Sequence, residues 1–79
     1  MLSIEELCAL VEDATQSMPG RVVAGTELAT LDGWDSMGLV VFIGLIQDRA
    51  QLELLVHELR ACATPVDVHE LIRRELAAR

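Results

Sequence analysis

The fold of this chain depends on one junction between a loop and a helix, Gly33-Trp34-Asp35-Ser36-Met37. Aspartate accepts a hydrogen bond from a backbone N–H of a first helical turn, so Asp35 predicts that a helix begins at Ser36. The residues that follow are apolar at helical spacing. Those predicted to face the core are Leu39, Phe42, Ile43 and Ile46.

The opposite face of this helix is apolar as well. It consists of Met37, Val40, Val41 and Gly44, with Asp48 near the end of the helix. No glycine follows Asp48 to end the helix, since Arg49-Ala50-Gln51 comes next. We therefore expect the helix to run on to about Gln51.

A first helix is predicted near the start of the chain. Ser3 and Glu6 have the spacing of a capping box, and Pro19-Gly20 is a helix-ending pair. The apolar residues at helical spacing between them are Leu7, Val11, Ala14 and Met18. The acids of this helix, Glu5, Glu6, Glu12 and Asp13, are predicted to form a solvated face.

The second half of the chain predicts two more helices. Thr64 is a suitable N-cap, followed by a first-turn proline, Pro65, and a first-turn acid, Asp67. The apolar residues of this last helix are Val68, Leu71, Ile72 and Leu76. A shorter helix is expected between Leu54 and Cys62.

The connection over residues 19–34 is long for so small a domain, and loops of this length are often functional. Leu28 and Leu31 indicate that it packs onto the core. The one weak strand signal, Arg21-Val22-Val23, has no partner strand. The sequence therefore predicts one all-α domain over residues 1–79, a four-helix bundle with three longer helices, one short helix and a long first loop.

Charge restricts the partners of the chain. The net charge of −7 repels nucleic-acid phosphates and anionic membrane surfaces, so positively charged protein surfaces are the natural complement. The longest apolar run covers residues 39–46, whereas a membrane-spanning helix needs about 20 residues. We expect no contact with nucleic acid or membrane.

Cys8 and Cys62 are expected to be free thiols, because no secretory signal precedes them and a reducing cytoplasm is indicated. A Cys8–Cys62 disulfide is the alternative. A zinc site with His57 and His69 lacks paired ligand spacing, and both histidines are expected to be solvated on helices.

The junction at Ser36 suits covalent attachment of a phosphate. Ser36 is predicted to be the first helical residue, so its hydroxyl projects from the start of the helix. A phosphate there meets backbone N–H groups and the positive end of the helix dipole. Gly33 would allow the sharp turn that precedes the cap.

The pattern Gly-x-Asp-Ser-Leu at the start of a second helix resembles the acyl and peptidyl carrier proteins. Gly33, Asp35 and Ser36 match it, and Met37 stands in the place of leucine. Thr64-Pro65-Val66-Asp67-Val68 is similar to the family's Thr-Val-x-Asp-Leu. Leu28 and Leu31 match apolar loop positions, so the resemblance covers essentially the whole chain.

The resemblance implies that Ser36 carries 4′-phosphopantetheine, transferred from coenzyme A by a separate magnesium-dependent phosphopantetheinyl transferase. The terminal thiol of that arm would hold an acyl or aminoacyl thioester and present it to a loading enzyme and a downstream synthase or transferase. The protein would then be a stand-alone, monomeric tether and not an enzyme. The second helix is less acidic than is usual in the family, which favours a specialised secondary-metabolic or surface-polymer pathway.

Two alternatives remain at this stage. One is a helical interaction module that is never modified, and the other is an enzyme using Asp35 and Ser36, for which the sequence places no base near Ser36. The residues expected to contact partners are Met37, Val40, Val41, Gly44 and Trp34. Trp34 could instead pack against the loop.

Overall fold

The structure is a computed structural model that describes residues 2–78. Its helices are α1 (Ile4–Thr15), α2 (Ser36–Ala50), α3 (Val56–Arg60) and α4 (Pro65–Ala77), with a 3₁₀ turn at Leu28–Thr30. No strand occurs in this part of the chain. The prediction of a small all-α bundle with three longer helices, one short helix and a long first loop is confirmed.

Helix α1 begins as predicted and ends earlier than predicted. The Ser3 hydroxyl accepts from the Glu6 N–H, and the Glu6 carboxylate accepts from the Ser3 N–H, each at 3.1 Å. Hydrogen bonding of the Glu6 carboxylate to Ser3, chiefly to the Ser3 N–H, lowers the pKa of Glu6. The helix stops at Gln16, which adopts the left-handed conformation at φ 56°, and not at Pro19-Gly20. Met18 therefore lies outside the helix and is 78% exposed, so its predicted place on the apolar face of the first helix was wrong.

The core lies between α1, α2 and α4, with α3 packed against α2. Its largest fully buried side chain is Phe42. Leu39 and Ile46 are buried beside it as predicted, whereas Ile43 is only half-buried at the edge of the core. Helix α2 ends with Ala50, and Gln51 forms its C-cap, in agreement with the predicted extension.

Hydrogen bonds from two backbone N–H groups tie the long loop over residues 16–35 to α1 and to the connection between α3 and α4. The Val22 N–H donates to the Glu12 carboxylate at 2.9 Å, and the Leu28 N–H donates to the Ala63 carbonyl at 2.9 Å. Glu12 is half-buried, so its assignment to a solvated face was wrong. Leu28 and Leu31 are buried, so the loop packs onto the core as predicted.

The last two helices differ in how well their bounds were predicted. Helix α4 starts at Pro65 behind the Thr64 cap, as expected, and Asp67 accepts from the Thr64 N–H at 3.2 Å. Helix α3 is shorter than the predicted span of Leu54 to Cys62. The Glu58 carboxylate accepts from the Leu55 N–H at 3.0 Å, which starts the helix at Val56, while Leu54 is buried in the core.

The cysteines and histidines make few bonds. Cys8 and Cys62 are free, so the disulfide alternative was wrong, and the described residues contain no cluster suited to a metal ion. Burial raises the pKa of both thiols. His57 is exposed, but His69 is half-buried with Nε2 at 3.0 Å from the Leu2 carbonyl, which corrects the expectation of full solvation. Within residues 2–78, no helix is both long and apolar enough to cross a membrane.

Candidate functional site

Asp35 is the residue that determines where α2 begins. Its side chain accepts a hydrogen bond from the Gly38 N–H at 3.0 Å, and its carbonyl accepts from the Leu39 N–H at 2.8 Å. The Asp35 backbone is extended, as expected of an N-cap. Ser36 is therefore the first residue of the helix, and its side chain is exposed to solvent. The predictions that Asp35 is the N-cap and that Ser36 is the first helical residue are confirmed.

Two glycines are required at the junction by close packing. A Cβ on Gly33 would overlap backbone atoms of Thr15, including Cα at 2.6 Å. A Cβ on Gly38 would overlap the Gly33 carbonyl. Neither glycine has a positive φ, so the predicted reason for Gly33, conformational freedom in a sharp turn, was wrong. The end of α1, the loop and the first turn of α2 are stacked in backbone contact.

Asp35→Ala is expected to lower the stability by about 0.5–2 kcal/mol through loss of the N-cap. Asp35→Asn retains a side-chain acceptor and should remain close to the wild type. Thermal unfolding of the two variants measures the difference. If both melted at the wild-type temperature, the cap would contribute nothing to the fold.

Trp34 connects the junction to the core. Its ring lies edge-to-face against Phe42, with centroids 5.4 Å apart and an interplanar angle of 66°. Such pairs contribute about 0.5–1.5 kcal/mol beyond the area they bury. The sequence left open whether Trp34 packs against the loop or is exposed, and the structure instead packs its half-buried ring on Phe42 of α2.

The remaining residues predicted to contact partners form a continuous surface on α2, which we call the apolar stripe. It consists of Met37, Val40, Val41 and Gly44. Their spacing of three and four residues places them on one side of the helix. All are exposed, and Met37 is exposed to 78%. The stripe starts next to Ser36 and runs along α2.

Arg60 is a site residue that sequence analysis missed. It is the last residue of α3, and its Nη2 donates a hydrogen bond to the Ser36 hydroxyl at 3.0 Å. The two residues are 24 positions apart in the chain. Nothing in the local sequence indicates this contact. By contrast, the close packing at Gly38 could have been suspected from the sequence. A glycine inside a helix costs about 1 kcal/mol relative to alanine, so its presence there points to a position with no room for a side chain.

Arg60 can bind an anion at Ser36 but cannot act as a base toward its hydroxyl. A guanidinium has no acceptor and stays protonated, so Arg60 cannot take the proton of Ser36. The raised pKa values of the Cys8 and Cys62 thiols disfavour the reactive thiolate forms. The arrangement offers an exposed hydroxyl on a rigid helix start, with a positive charge beside it.

Neither a protein-family model, nor a curated protein, nor a solved structure matches the chain.

Proposed function

We propose that this protein is an acyl or aminoacyl carrier, with 4′-phosphopantetheine attached to Ser36. The observation that supports this function best is the exposed Ser36 hydroxyl at the start of a capped helix, with the Arg60 guanidinium 3.0 Å away. A phosphate attached at that hydroxyl lies beside the N–H groups that begin α2 and beside a positive charge. The resemblance of the motif and of the helix order points to the same group.

The attachment is a simple phosphoryl-type transfer. The Ser36 oxygen forms a bond to the phosphorus that carries the pantetheine of coenzyme A, and the pyrophosphate bond breaks. Adenosine 3′,5′-bisphosphate leaves, and the hydroxyl proton passes to a base supplied by the separate transferase. When attached, the arm supplies a thiol that forms a thioester with the cargo.

The residues around Ser36 hold the base of the arm in a defined place. Asp35 sets the first turn of α2, and the packing of Gly38 on Gly33 and of Gly33 on Thr15 limits movement of that turn. A carrier needs a rigid attachment point, because the partner enzymes must bind the terminal group of a flexible arm. The chain itself performs no chemistry on the cargo.

The apolar stripe is the surface that we assign to partner enzymes. These are the phosphopantetheinyl transferase, a loading enzyme and a downstream synthase or transferase. Since Asp48 is the only acid of α2, docking on this helix relies on apolar burial, which favours partners from a specialised biosynthetic pathway. The stripe also suits the alternative function, a helical interaction module that docks without being modified.

The deciding experiment is incubation with coenzyme A, Mg²⁺ and a broad-specificity phosphopantetheinyl transferase, followed by intact-mass measurement. A carrier gains the mass of one phosphopantetheinyl group, and peptide mapping locates it on Ser36. If the mass stays unchanged while a known carrier in the same tube is modified, the unmodified interaction module is the better assignment.

Val41→Asp is expected to slow modification by the transferase at least several-fold, since a charge in the apolar stripe must be desolvated on docking. The matched control is Val66→Asp on α4, because Val66 is 46% exposed and Val41 is 45% exposed. Both variants should melt near the wild-type temperature, since neither side chain is part of the core.

Salt dependence separates the two ways of docking. Burial of apolar surface is nearly indifferent to moderate salt, whereas attraction between surface charges falls off within a Debye length of about 8–10 Å. We expect the initial rate of modification to fall only modestly as salt rises. A steep fall, with Val41→Asp as fast as Val66→Asp, would show that acids elsewhere on the domain carry the docking.

A further inference from the structure

Arg60 is placed to interact with whatever group is attached to Ser36. Its Nη2 is 3.0 Å from the Ser36 oxygen, which is the atom that would be esterified. Within residues 2–78, Arg60 is in no ion pair, since the ion pair described there joins Arg73 and Glu70. In the same range, the Arg60 side chain makes one hydrogen bond, the one to Ser36. The guanidinium thus keeps most of its five N–H donors available for an anion.

We infer that Arg60 is a phosphate-binding, positioning residue, whose guanidinium donates to a non-bridging phosphate oxygen on Ser36 and holds that phosphate on the α3 side of the site. This inference rests on the proposed attachment at Ser36. It goes further in assigning recognition of the phosphate to a named side chain of α3. The role is not catalytic, since the guanidinium neither gains nor loses a proton.

The electrostatics of the domain make such a contact useful. The chain already has a net charge of −7, and a phosphodiester adds another negative charge next to Asp35. Arg60 offsets that charge at the point of attachment. It also leaves the apolar stripe on α2 free, because the phosphate is held toward α3.

The test uses the full chain with phosphoserine incorporated at position 36 during translation, so that no transferase is needed. The second pKa of a free phosphoserine is about 6, and phosphorus NMR follows its titration. A guanidinium in contact favours the dianion and lowers that pKa. We expect Arg60→Gln to raise it by about 0.7 pH unit, because a unit charge 4 Å away in water contributes about 1 kcal/mol and one pKa unit corresponds to about 1.4 kcal/mol.

Arg49→Gln is the matched control, since it removes the same charge from an exposed arginine at the far end of α2. Helical rise places Arg49 about 20 Å from Ser36, beyond the Debye length at physiological salt. This variant should leave the phosphoserine pKa within about 0.1 unit of the wild type. Asp35 is present in all three proteins, so its effect on the phosphate cancels in the comparison.

Equal pKa values in the wild type and in Arg60→Gln would overturn the inference, because they would show that the phosphate does not contact the guanidinium. So would equal shifts for Arg60→Gln and Arg49→Gln, which would indicate only a general charge effect. Melting curves of the unmodified variants should coincide with the wild type, since both arginines are exposed. A loss of fold would therefore not explain the shift.

The holo-protein gives a second, independent measurement. After enzymatic modification, the phosphodiester resonance should differ in chemical shift between the wild type and Arg60→Gln and coincide between the wild type and Arg49→Gln. If no modification occurs in any of the proteins, the proposed function fails while the phosphoserine titration still decides the role of Arg60. If modification occurs and neither phosphorus measurement responds to Arg60→Gln, the function stands and the role of Arg60 is refuted.

Discussion

Ser36→Ala is expected to abolish modification completely, with no gain of mass after exhaustive incubation with coenzyme A and a phosphopantetheinyl transferase. The reason is chemical, because the substitution removes the one oxygen that the geometry presents at the start of α2. The fold should survive, since the Ser36 side chain is exposed and alanine is the best helix former. The hydrogen bond from Arg60 is lost, but the guanidinium remains in solvent.

Ser3→Ala is the control for this experiment. Ser3 is also an exposed serine at a helix start, but it is the N-cap of α1, and its hydroxyl is occupied by the Glu6 N–H at 3.1 Å. Its removal should lower the stability by about 0.5–2 kcal/mol while modification proceeds to completion. Retention of the added mass in Ser36→Ala, or its loss in Ser3→Ala, would show that Ser36 is not the attachment residue.

Gly38→Ala is expected to have the largest effect on stability, a loss of at least about 3 kcal/mol, at the upper end of what overpacking usually costs. The new Cβ would overlap the Gly33 carbonyl, which is backbone and cannot turn away as a side chain could. Gly33 in turn is packed against Thr15, so the loop has little room to retreat. In a domain of this size the melting temperature should fall by roughly 12–24 °C.

Gly44→Ala provides a matched control in the same helix. A Cβ at Gly44 meets no atom within 4 Å, so the substitution only improves helix propensity. Stability should rise by about 0.5–1 kcal/mol, and the melting temperature by roughly 2–8 °C. Thermal unfolding of the two variants should thus shift in opposite directions. Equal shifts would show that the first turn of α2 is not packed on the loop as described.

The starts of the long helices could be predicted from the sequence because capping is local. Each cap bonds a backbone group three residues further on, as Ser3 does with Glu6, Asp35 with Gly38 and Thr64 with Asp67. The side chain and its partner are therefore both visible within one short stretch. The exposed hydroxyl of Ser36 follows directly from the position of the Asp35 cap. The apolar stripe follows from the helical period.

The end of α1 was decided by tertiary structure. Gln16 takes the left-handed conformation, which glutamine does not signal, and the chain leaves the helix before Pro19. This early exit goes with the burial of Val22 and with the bond from its N–H to the Glu12 carboxylate. The early end of the helix is stabilised by contacts that residues after the turn make with the rest of the fold. The sequence of the turn itself therefore does not indicate where the helix ends.

The same reason explains what the sequence alone determined about the site and what it did not. It determined the hydroxyl, the cap and the apolar stripe, all of which lie within one helix. Only the packing of α3 on α2 brings Arg60 to Ser36, and only the packing of the loop on α1 gives Gly33 and Gly38 their roles. Contacts between elements depend on how whole helices pack when their apolar faces are buried. The spacing of residues within one helix does not determine that packing.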